Sequence, residues 1–299
     1  MRSPASSMPT DKRSKSIGTG VCKADSTVSL NIFDEKDLTP VGTGDRRQMG
    51  AQVSGGTEAV RYFFSVEDEQ ETGVLSLPQF ERDRFAASDL PLRPWTDRPN
   101  VMARKSLRMN LNAAVSPKLD LAVATNFINV NQRYSLESNA TAGLGSHLFG
   151  GPGTRENGTV SGLNTPLNGY RAWTPGYMWQ EKTGQEVNRF IWSAGANWRP
   201  FSWLANRATV GSDFTGRSDE NLLLRGEGPP LTATTRLGAR GINRVNTNNI
   251  TVDLGSTATY NLFNLNLKTT GGAQYIGYES SFAQTGSTQL APGSQIVGS

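Results

Sequence analysis

Residues 107–127 read LRMNLNAAVSPKLDLAVATNF, and this stretch decides the fold class. Apolar residues occupy every second position on both sides of a short turn at residues 116–118, and polar residues such as Arg108 and Asn110 lie between them. A period of two is typical of β-strands with two different faces. Pro117 has no N–H to donate to a ladder, so it suits a turn rather than a central strand. The stretch therefore predicts an antiparallel β-hairpin.

Three further hairpins follow the same plan, with turns at residues 55–58, 199–202 and 261–264. Long, polar, Gly-rich connections separate the hairpins, at about residues 68–104, 132–187 and 215–248. Short turns that alternate with long loops are typical of outer-membrane β-barrels, whose long loops all lie outside the cell. The predicted fold is all-β: about eight antiparallel up-and-down strands that form part of a large transmembrane β-barrel with long extracellular loops.

The charged residues of the predicted strands share one face of each hairpin; they are Arg108, Asp120, Arg189, Asp253 and Lys268. An Arg or Lys that faces lipid near the bilayer midplane costs roughly 2–4 kcal/mol. We therefore expect the apolar face to contact lipid and the charged face to line a lumen. The same alternation would also fit a sandwich with a buried apolar face, so a soluble all-β ligand- or carbohydrate-binding protein is the alternative.

Composition excludes several kinds of site. Cys22 is the only cysteine and His147 the only histidine of the 299 residues, so an internal disulfide and a multi-histidine metal site are excluded. The net charge is only +4 and the cations are dispersed, which speaks against a nucleic-acid partner. We predict no catalytic, cofactor-binding or metal-binding residue, and no enzymatic activity.

Two groups of acidic residues are candidate sites. A polysaccharide hydrolase would need a pair of carboxylates; the candidates are Glu181, Glu186, Asp213 and Asp219, and no pattern in the sequence brings two of them together. The acidic residues Glu67, Asp68, Glu69 and Glu71 lack the ordered spacing of a Ca²⁺ loop, so a solvated loop is predicted there.

The amino-terminal part of the chain differs from the rest. Residues 1–45 are polar and rich in Ser, Thr, Asp, Lys and Gly, so they are predicted to be disordered or outside the barrel family. Residues 1–23 also lack the apolar segment of a secretory signal. Residues 46–299 are predicted to form the partial barrel domain.

A family resemblance strengthens the barrel prediction. Residues 53–65, VSGGTEAVRYFFS, resemble an early barrel hairpin of SusC/RagA-type TonB-linked outer-membrane transporters, and residues 71–74, ETGV, resemble the end of that hairpin. Residues 107–121 are similar to another hairpin of the family, with the pattern R-x-N-L-x-x-x-V-S-x-x-L-x-L. TGGAQY at 270–275 resembles a later strand, and LAPG at 290–293 resembles a loop beyond it. The order of these motifs along the chain carries the resemblance.

The resemblance implies a 22-stranded barrel around a plug, in the outer membrane of a Gram-negative-type bacterium. Members import glycans, peptides or other bulky nutrients, draw energy from the TonB complex through the plug, and often work with a SusD-like lipoprotein. The expected partners are thus outer-membrane lipid, the TonB complex and a SusD-like lipoprotein. This sequence shows neither a plug nor a TonB box, so we expect the chain to be a partial transporter that is inactive alone.

Four aromatic residues cluster in the second long connection: Tyr170, Trp173, Tyr177 and Trp179. Aromatic faces stack on flat, partly apolar ligands such as sugars. These four residues are the predicted substrate-binding site, with packing within the loop as the competing interpretation. A second aromatic set in or near the strands is predicted to be a girdle at the membrane interfaces; it comprises Trp192, Trp198, Trp203, Tyr260 and Tyr275.

Overall fold

The structure, a computed structural model, describes residues 29–136, 143–151, 153–155, 157–160, 163–229 and 235–296. One eight-stranded antiparallel sheet dominates these residues. Its strands are β1 (Asp45–Gly56), β2 (Val60–Thr72), β3 (Val101–Ser116), β4 (Leu119–Arg133), β7 (Lys182–Phe201), β8 (Leu204–Leu223), β9 (Ala239–Leu262) and β10 (Leu265–Thr288). A small separate hairpin pairs β5 (Asn157–Val160) with β6 (Leu163–Pro166).

Each strand of the large sheet pairs with its neighbour in the sequence, in the order β1-β2-β3-β4-β7-β8-β9-β10. This is the predicted up-and-down arrangement, and the count of eight strands is confirmed. Within the described residues β1 and β10 pair on one side only, so the sheet is open. The sheet therefore forms a wall with two free edges.

In three of the four hairpins the observed turn lies within a residue or two of the predicted turn. β3 and β4 meet across Pro117 and Lys118 as expected, whereas β7 continues as far as Phe201. The ladder between β7 and β8 shifts register between Trp198 and Phe201. Pro200 lies inside that shift, where its missing N–H leaves no ladder hydrogen bond unmade.

The strands continue well beyond their apolar positions, so the connections are shorter than predicted. The connection predicted at 215–248 spans only residues 224–238, and the other two shrink to 73–100 and 134–181. In the added segments polar side chains occur on both faces of the sheet; for example, Asp68 lies opposite Lys105 on one face, and Glu69 lies opposite Arg104 on the other. Backbone pairing continues there although the alternation that reveals a strand in the sequence has ended.

The long connections fold together at one end of the sheet. We call residues 29–44, 73–100 and the described part of 134–181 the loop cap. Its helices are short: α1 (Gln79–Ala86), α2 (Pro94–Asp97), α3 (Leu144–Phe149) and α4 (Pro175–Met178). In the part of the chain that the structure describes, no helix is long and apolar enough to cross a membrane. The cap has its own core, made of Ile32, Leu38, Leu75, Leu77, Phe85, Leu144, Tyr170, Trp173, Met178 and Trp179.

Residues 29–44 belong to the stretch that was predicted to be disordered or outside the family. In the structure they pack inside the loop cap, because Ile32 and Leu38 supply apolar side chains that its core buries. The backbone is also tied down: Gly42 N–H donates to Val74 O at 2.7 Å and Ser76 N–H to Pro40 O at 2.9 Å. The boundary at residue 45 coincides with the start of β1, and the division into two domains stays a prediction.

Replacing Leu38 tests whether this segment holds the cap together. Leu38 is fully buried, so Leu38→Ala should cost about 2–5 kcal/mol of local stability. Hydrogen exchange should accelerate at cap amides while amides of the central strands stay protected. Leu92→Ala is the control, since Leu92 is 41% exposed. Equal effects of the two variants would contradict a central role for Leu38.

A cluster of charges attaches residues 29–44 to the second long connection. Arg155 Nη2 lies 2.6 Å from Glu35 Oε2, and Arg155 Nη1 lies 2.8 Å from Asp37 Oδ2. The Arg155 hydrogen bond holds the pKa of Asp37 below its usual range, and the two carboxylates raise the pKa of Arg155. All three side chains are at least 40% exposed, so solvent screening limits this contribution to about 1 kcal/mol or less.

The lowered pKa of Asp37 predicts a pH dependence for the cap. A carboxyl whose folded pKa is depressed stabilises the fold above its unfolded pKa, about 3.9, and loses that contribution as pH falls through the lower folded value. Exchange at amides around Asp37 should therefore be constant from pH 7 to about 5 and should accelerate below about 4, after correction for intrinsic rates. Arg155→Gln should remove this acid step; an unchanged step would show that Arg155 is not its cause.

Candidate translocation surface

One face of the sheet carries all the charged residues that were predicted to line a lumen. By register, Arg108, Asp120, Arg189, Asp253 and Lys268 share a face, which we call the polar face. Neighbouring strands add Asn, Ser and Thr at equivalent positions; Asn112, for instance, pairs with Ala122 and Thr209 with Asp253. The result is a hydrogen-bonding surface that follows the strands for most of their length.

Ion pairs neutralise much of this surface. Arg189 makes two contacts with Asp213, Nε to Oδ1 at 2.9 Å and Nη2 to Oδ2 at 2.5 Å. Arg199 Nη2 lies 2.5 Å from Asp120 Oδ2. Because each pair joins adjacent strands, the charges also fix the register of the sheet.

Amide side chains continue the polar face toward the loop cap. Gln132 Nε2 donates to Gln185 Oε1 at 3.0 Å, and Gln185 Nε2 donates to Asp219 Oδ1 at 2.7 Å. Arg217 in turn donates to Asp219, with Nη2 at 2.6 Å from Oδ2. This chain of donors and acceptors crosses β4, β7 and β8, so the upper part of the polar face is organised rather than merely hydrophilic.

The acidic residues Glu67, Asp68, Glu69 and Glu71 lie in β2, not in a solvated loop. Glu69 is only 3% exposed, and its Oε1 accepts from Arg46 Nε at 2.6 Å. Arg104 approaches the other carboxylate oxygen at 3.6 Å. A buried carboxylate needs such partners. Within the described residues no group of His, Cys, Asp or Glu is arranged to hold a metal ion.

The four hydrolase carboxylates also have separate partners. Asp213 and Asp219 are paired with Arg189 and Arg217, as described above. Glu181 accepts from Asn221 and Glu186 accepts from Asn188. No two of the four carboxylates share a hydrogen bond, so the geometry favours ion pairing and amide pairing over acid–base chemistry.

The opposite face, which we call the apolar face, crosses the whole sheet in its middle rows and is shorter on β9 and β10, where Asn248 and Glu279 lie in the row of Phe214. One row runs through Val66, Leu107, Phe127, Phe190 and Phe214 on five neighbouring strands. Two rows further toward the turns lie Tyr62, Leu111, Val123, Ala194, Val210, Val252 and Tyr275. No second layer of the described chain covers this face: Phe127 is 41% exposed, Leu254 53% and Tyr275 63%.

The apolar face is a band of limited height along the strands. On the cap side it ends at the polar row that contains Asp68, Lys105, Asn129 and Asn188. From Leu107 to Val115, eight steps at about 3.3 Å give roughly 26 Å along the strand, or about 20 Å at a tilt of 40°. That height is close to the apolar band of about 25 Å in outer-membrane barrels.

The predicted aromatic girdle is only partly at the edge of this band. Trp198 and Tyr260 lie near the turn end of their strands, and Trp203 lies in the β7–β8 turn, where its ring stacks on Phe201 at 5.6 Å. Trp192 pairs with Thr125 and Ser212, and Tyr275 with Val252, so both lie in the middle rows. Sequence spacing could not show this because rows are defined by register between strands.

The predicted substrate-binding residues lie in the loop cap. Tyr170, Trp173 and Trp179 are at most 4% exposed, and Tyr177 is half-buried. The Tyr170 hydroxyl donates to Leu38 O at 2.8 Å, and burial together with the nearby Glu81 raises its pKa. In this conformation three of the four rings are buried in the core of the cap and do not face solvent. Their contact with substrate stays a prediction.

His147 and Arg84 complete the environment of these rings. The backbone N–H of Trp173 donates to His147 Nδ1 at 3.2 Å, and the two rings meet edge-on with centroids 6.5 Å apart. The Arg84 guanidinium lies 4.3 Å from the centre of the Tyr177 ring and 2.6 Å from the buried carboxylate of Glu81. The only histidine of the chain thus contributes to packing in the cap.

An aromatic pair that the sequence did not reveal lies on the surface of the cap. Phe33 is 45% exposed and Phe149 73%, and their ring centroids are 6.4 Å apart. Both line a depression together with Leu148, Gly151 and Gly169. The two phenylalanines lie in separate segments with no shared motif, so only the packing of residues 29–44 against the second connection brings them together.

Comparisons with known proteins identify the architecture. No protein-family model matches the chain, and no curated protein matches it in sequence. Among solved structures, the RagAB peptide importer in its closed-closed state matches with a TM-score of 0.66 and 14% identity, over 92% of this chain and 28% of the other. The fold of the sheet is similar to that of a segment of the RagA β-barrel.

Two further structures agree with this. A structure of the RagAB peptide transporter matches with a TM-score of 0.66 and 16% identity, over 90% of this chain and 28% of that chain. The open-open state of the RagAB importer matches with a TM-score of 0.60 and 15% identity, over 86% and 29%. RagA is a SusC-like TonB-dependent receptor, so the resemblance seen in the sequence is confirmed at the level of the fold. The chain spans less than a third of the length of these RagAB chains.

Adjacent residues of β7 offer a matched test of the two faces. Ala194 lies on the apolar face and Ser193 on the polar face. If lipid contacts the apolar face, Ala194→Lys should cost roughly 2–4 kcal/mol of stability in a bilayer, and Ser193→Lys should cost much less. Urea titration of the lipid-reconstituted protein measures both. A larger loss for Ser193→Lys would reverse the assignment of lipid and lumen.

Proposed function

We propose that this chain forms part of the wall of a TonB-dependent outer-membrane transporter that imports bulky nutrients such as peptides or glycans. The observation that carries the proposal is the division of the sheet into an exposed apolar face and an ion-paired polar face. A barrel that conducts polar cargo through lipid needs this division. The similarity to the RagAB importer supports it.

The proposed location is the outer membrane, with the loop cap outside the cell and the short turns toward the periplasm. The apolar face would contact lipid acyl chains. The row of Asp68, Lys105, Asn129 and Asn188 would lie at the outer headgroups, because polar side chains on the lipid side are tolerated only near the interface.

The eight described strands cannot enclose a channel on their own. In lipid, the free edges of β1 and β10 would expose unpaired backbone N–H and C=O groups, each at a cost of several kcal/mol. Further strands must therefore complete the barrel. A plug would couple it to the TonB complex, and a SusD-like lipoprotein is the proposed partner above the cap, as suggested by the two-component RagAB assembly.

Cargo contact is proposed at the cap and along the polar face. Tyr177 is the most accessible of the four predicted aromatic residues, and Phe33 and Phe149 add an exposed aromatic pair. Tyr170, Trp173 and Trp179 would reach cargo only after the cap opens, because their rings are buried in its core.

The alternative of a soluble all-β binding protein would require a layer that buries the apolar face. The described residues contain one large sheet and a two-stranded hairpin, and the large apolar side chains of the sheet remain exposed. Nothing in this geometry favours that alternative, and the structural neighbours are transporters rather than enzymes.

Uptake in proteoliposomes tests the proposal. The complete transporter, energised by the TonB complex, should take up labelled peptide or oligosaccharide, whereas the 299-residue chain alone should not. Phe33→Ala with Phe149→Ala should weaken uptake by reducing cargo contact, and Phe263→Ala at the β9–β10 turn is the control. Energised uptake by the isolated chain would contradict the proposal.

A further inference from the structure

The turn end of the polar face contains a depression that no part of the proposed transport cycle explains. Its lining includes Lys118, Arg199, Lys268 and the aromatic residue Trp203, and we call it the rim pocket. Thr257 and Thr259 also line it. They are an even number of residues away from Asp253 along β9, so their side chains lie on the same face as Asp253. The pocket thus opens on the polar face. It therefore faces water rather than lipid.

The pocket has a simple geometric origin. The β9–β10 hairpin extends past the β7–β8 turn. The backbone hydrogen bonds between β9 and this turn end with Thr259 N–H to Trp203 O at 2.8 Å, whereas β9 continues to Leu262. The projecting hairpin forms one wall, the β7–β8 turn forms the floor, and the β3–β4 turn forms the opposite side. The step between hairpins of unequal length is what makes the surface concave.

The charges around the rim pocket do not cancel. Asp120 is paired with Arg199, and Asp253, further up the face, accepts from Gln274 at 2.7 Å. Lys118 Nζ donates to the backbone O of Pro200 at 2.9 Å, which leaves its charge uncompensated. Within the described residues neither Lys118 nor Lys268 forms an ion pair with a carboxylate. Arg207, two residues beyond Ala205 of the pocket, adds a further cation on the same face.

The size of the pocket indicates an extended ligand. Lys118 lies in the β3–β4 turn, next to the start of β4, and Lys268 lies in β10. β4 and β10 are four strand spacings apart in the sheet, which is roughly 19 Å between backbones at about 4.8 Å per strand. An extended chain of about six residues, at about 3.3 Å per residue, spans that distance. An extended segment of this length can therefore contact both lysines at once.

We propose that the rim pocket binds an extended acidic polypeptide segment, whose carboxylates lie against Lys118 and Lys268 and whose backbone passes over Trp203. An anionic lipid headgroup is disfavoured, because lipid would contact the apolar face and these lysines lie on the polar side. The proposal does not require transport, so peptide binding and uptake can fail independently of each other.

Binding of a labelled peptide tests the proposal. Fluorescein-labelled hexaglutamate should bind the detergent-solubilised protein, and labelled hexaglutamine should bind at least tenfold more weakly. The double variant Lys118→Gln, Lys268→Gln should weaken hexaglutamate binding about tenfold, roughly threefold for each exposed cation. Raising the salt from 0.05 to 0.5 M should weaken binding as well, since exposed charges are screened.

A matched control separates the pocket from net charge. The double variant Lys36→Gln, Lys105→Gln removes the same charge from the loop cap and the apolar side, and it should bind hexaglutamate like the unmodified protein. Equal loss in both double variants would overturn the proposal, as would equal binding of hexaglutamate and hexaglutamine. Displacement of hexaglutamate by phosphatidylglycerol vesicles, but not by neutral vesicles, would assign the pocket to lipid and overturn it too.

Discussion

Backbone pairing between neighbouring strands is the constraint on which the rest of this structure depends. In a bilayer every N–H and C=O must find a partner within the protein, so a spanning sheet is built as an uninterrupted ladder. Here that ladder joins eight strands in sequence order and continues for up to 24 residues in β9 and β10. Because side chains alternate along each strand, an aligned ladder also aligns the residues of each face into rows. The apolar face and the polar face are thus two consequences of one register.

The sequence predicts the part of the fold in which the two faces differ. Between Leu107 and Phe127 the alternation is almost complete, so the strands, the turn and the lumen-facing charges could all be derived from it. Beyond the apolar row, residues such as Asp68, Lys105 and Asn129 make both faces polar, and the alternation disappears while the pairing persists. Strand ends outside the apolar band therefore resemble loops in the sequence, which is why the third connection was predicted to be more than twice its actual length.

The loop cap could not be predicted for a different reason. Its core combines residues from three separate segments, for example Leu38, Phe85 and Trp179, and no periodic pattern connects them. Hydrogen bonds between segments close it: the Trp95 indole donates to Gln180 O at 3.1 Å, and Thr96 Oγ1 donates to Trp179 O at 3.1 Å. Aromatic residues in a Gly-rich connection suggested a ligand surface, yet most of them supply the apolar area that such a cap needs in order to fold. The exposed pair, Phe33 and Phe149, arises only from that packing.

The distribution of charge along the polar face follows from which side chain lies opposite each charged residue on the next strand. In the middle and upper wall a charged side chain has a partner on the next strand, as Arg189 has Asp213 and Asp219 has Gln185. At the turn end the residue opposite Lys268 in the ladder is Thr259, and the other side of β10 is a free edge of the described sheet, so no carboxylate lies beside Lys268. Lys118, in the β3–β4 turn, donates to Pro200 O rather than to a carboxylate. The rim, rather than the ion-paired wall above it, is therefore the place on this face where an acidic ligand would gain most.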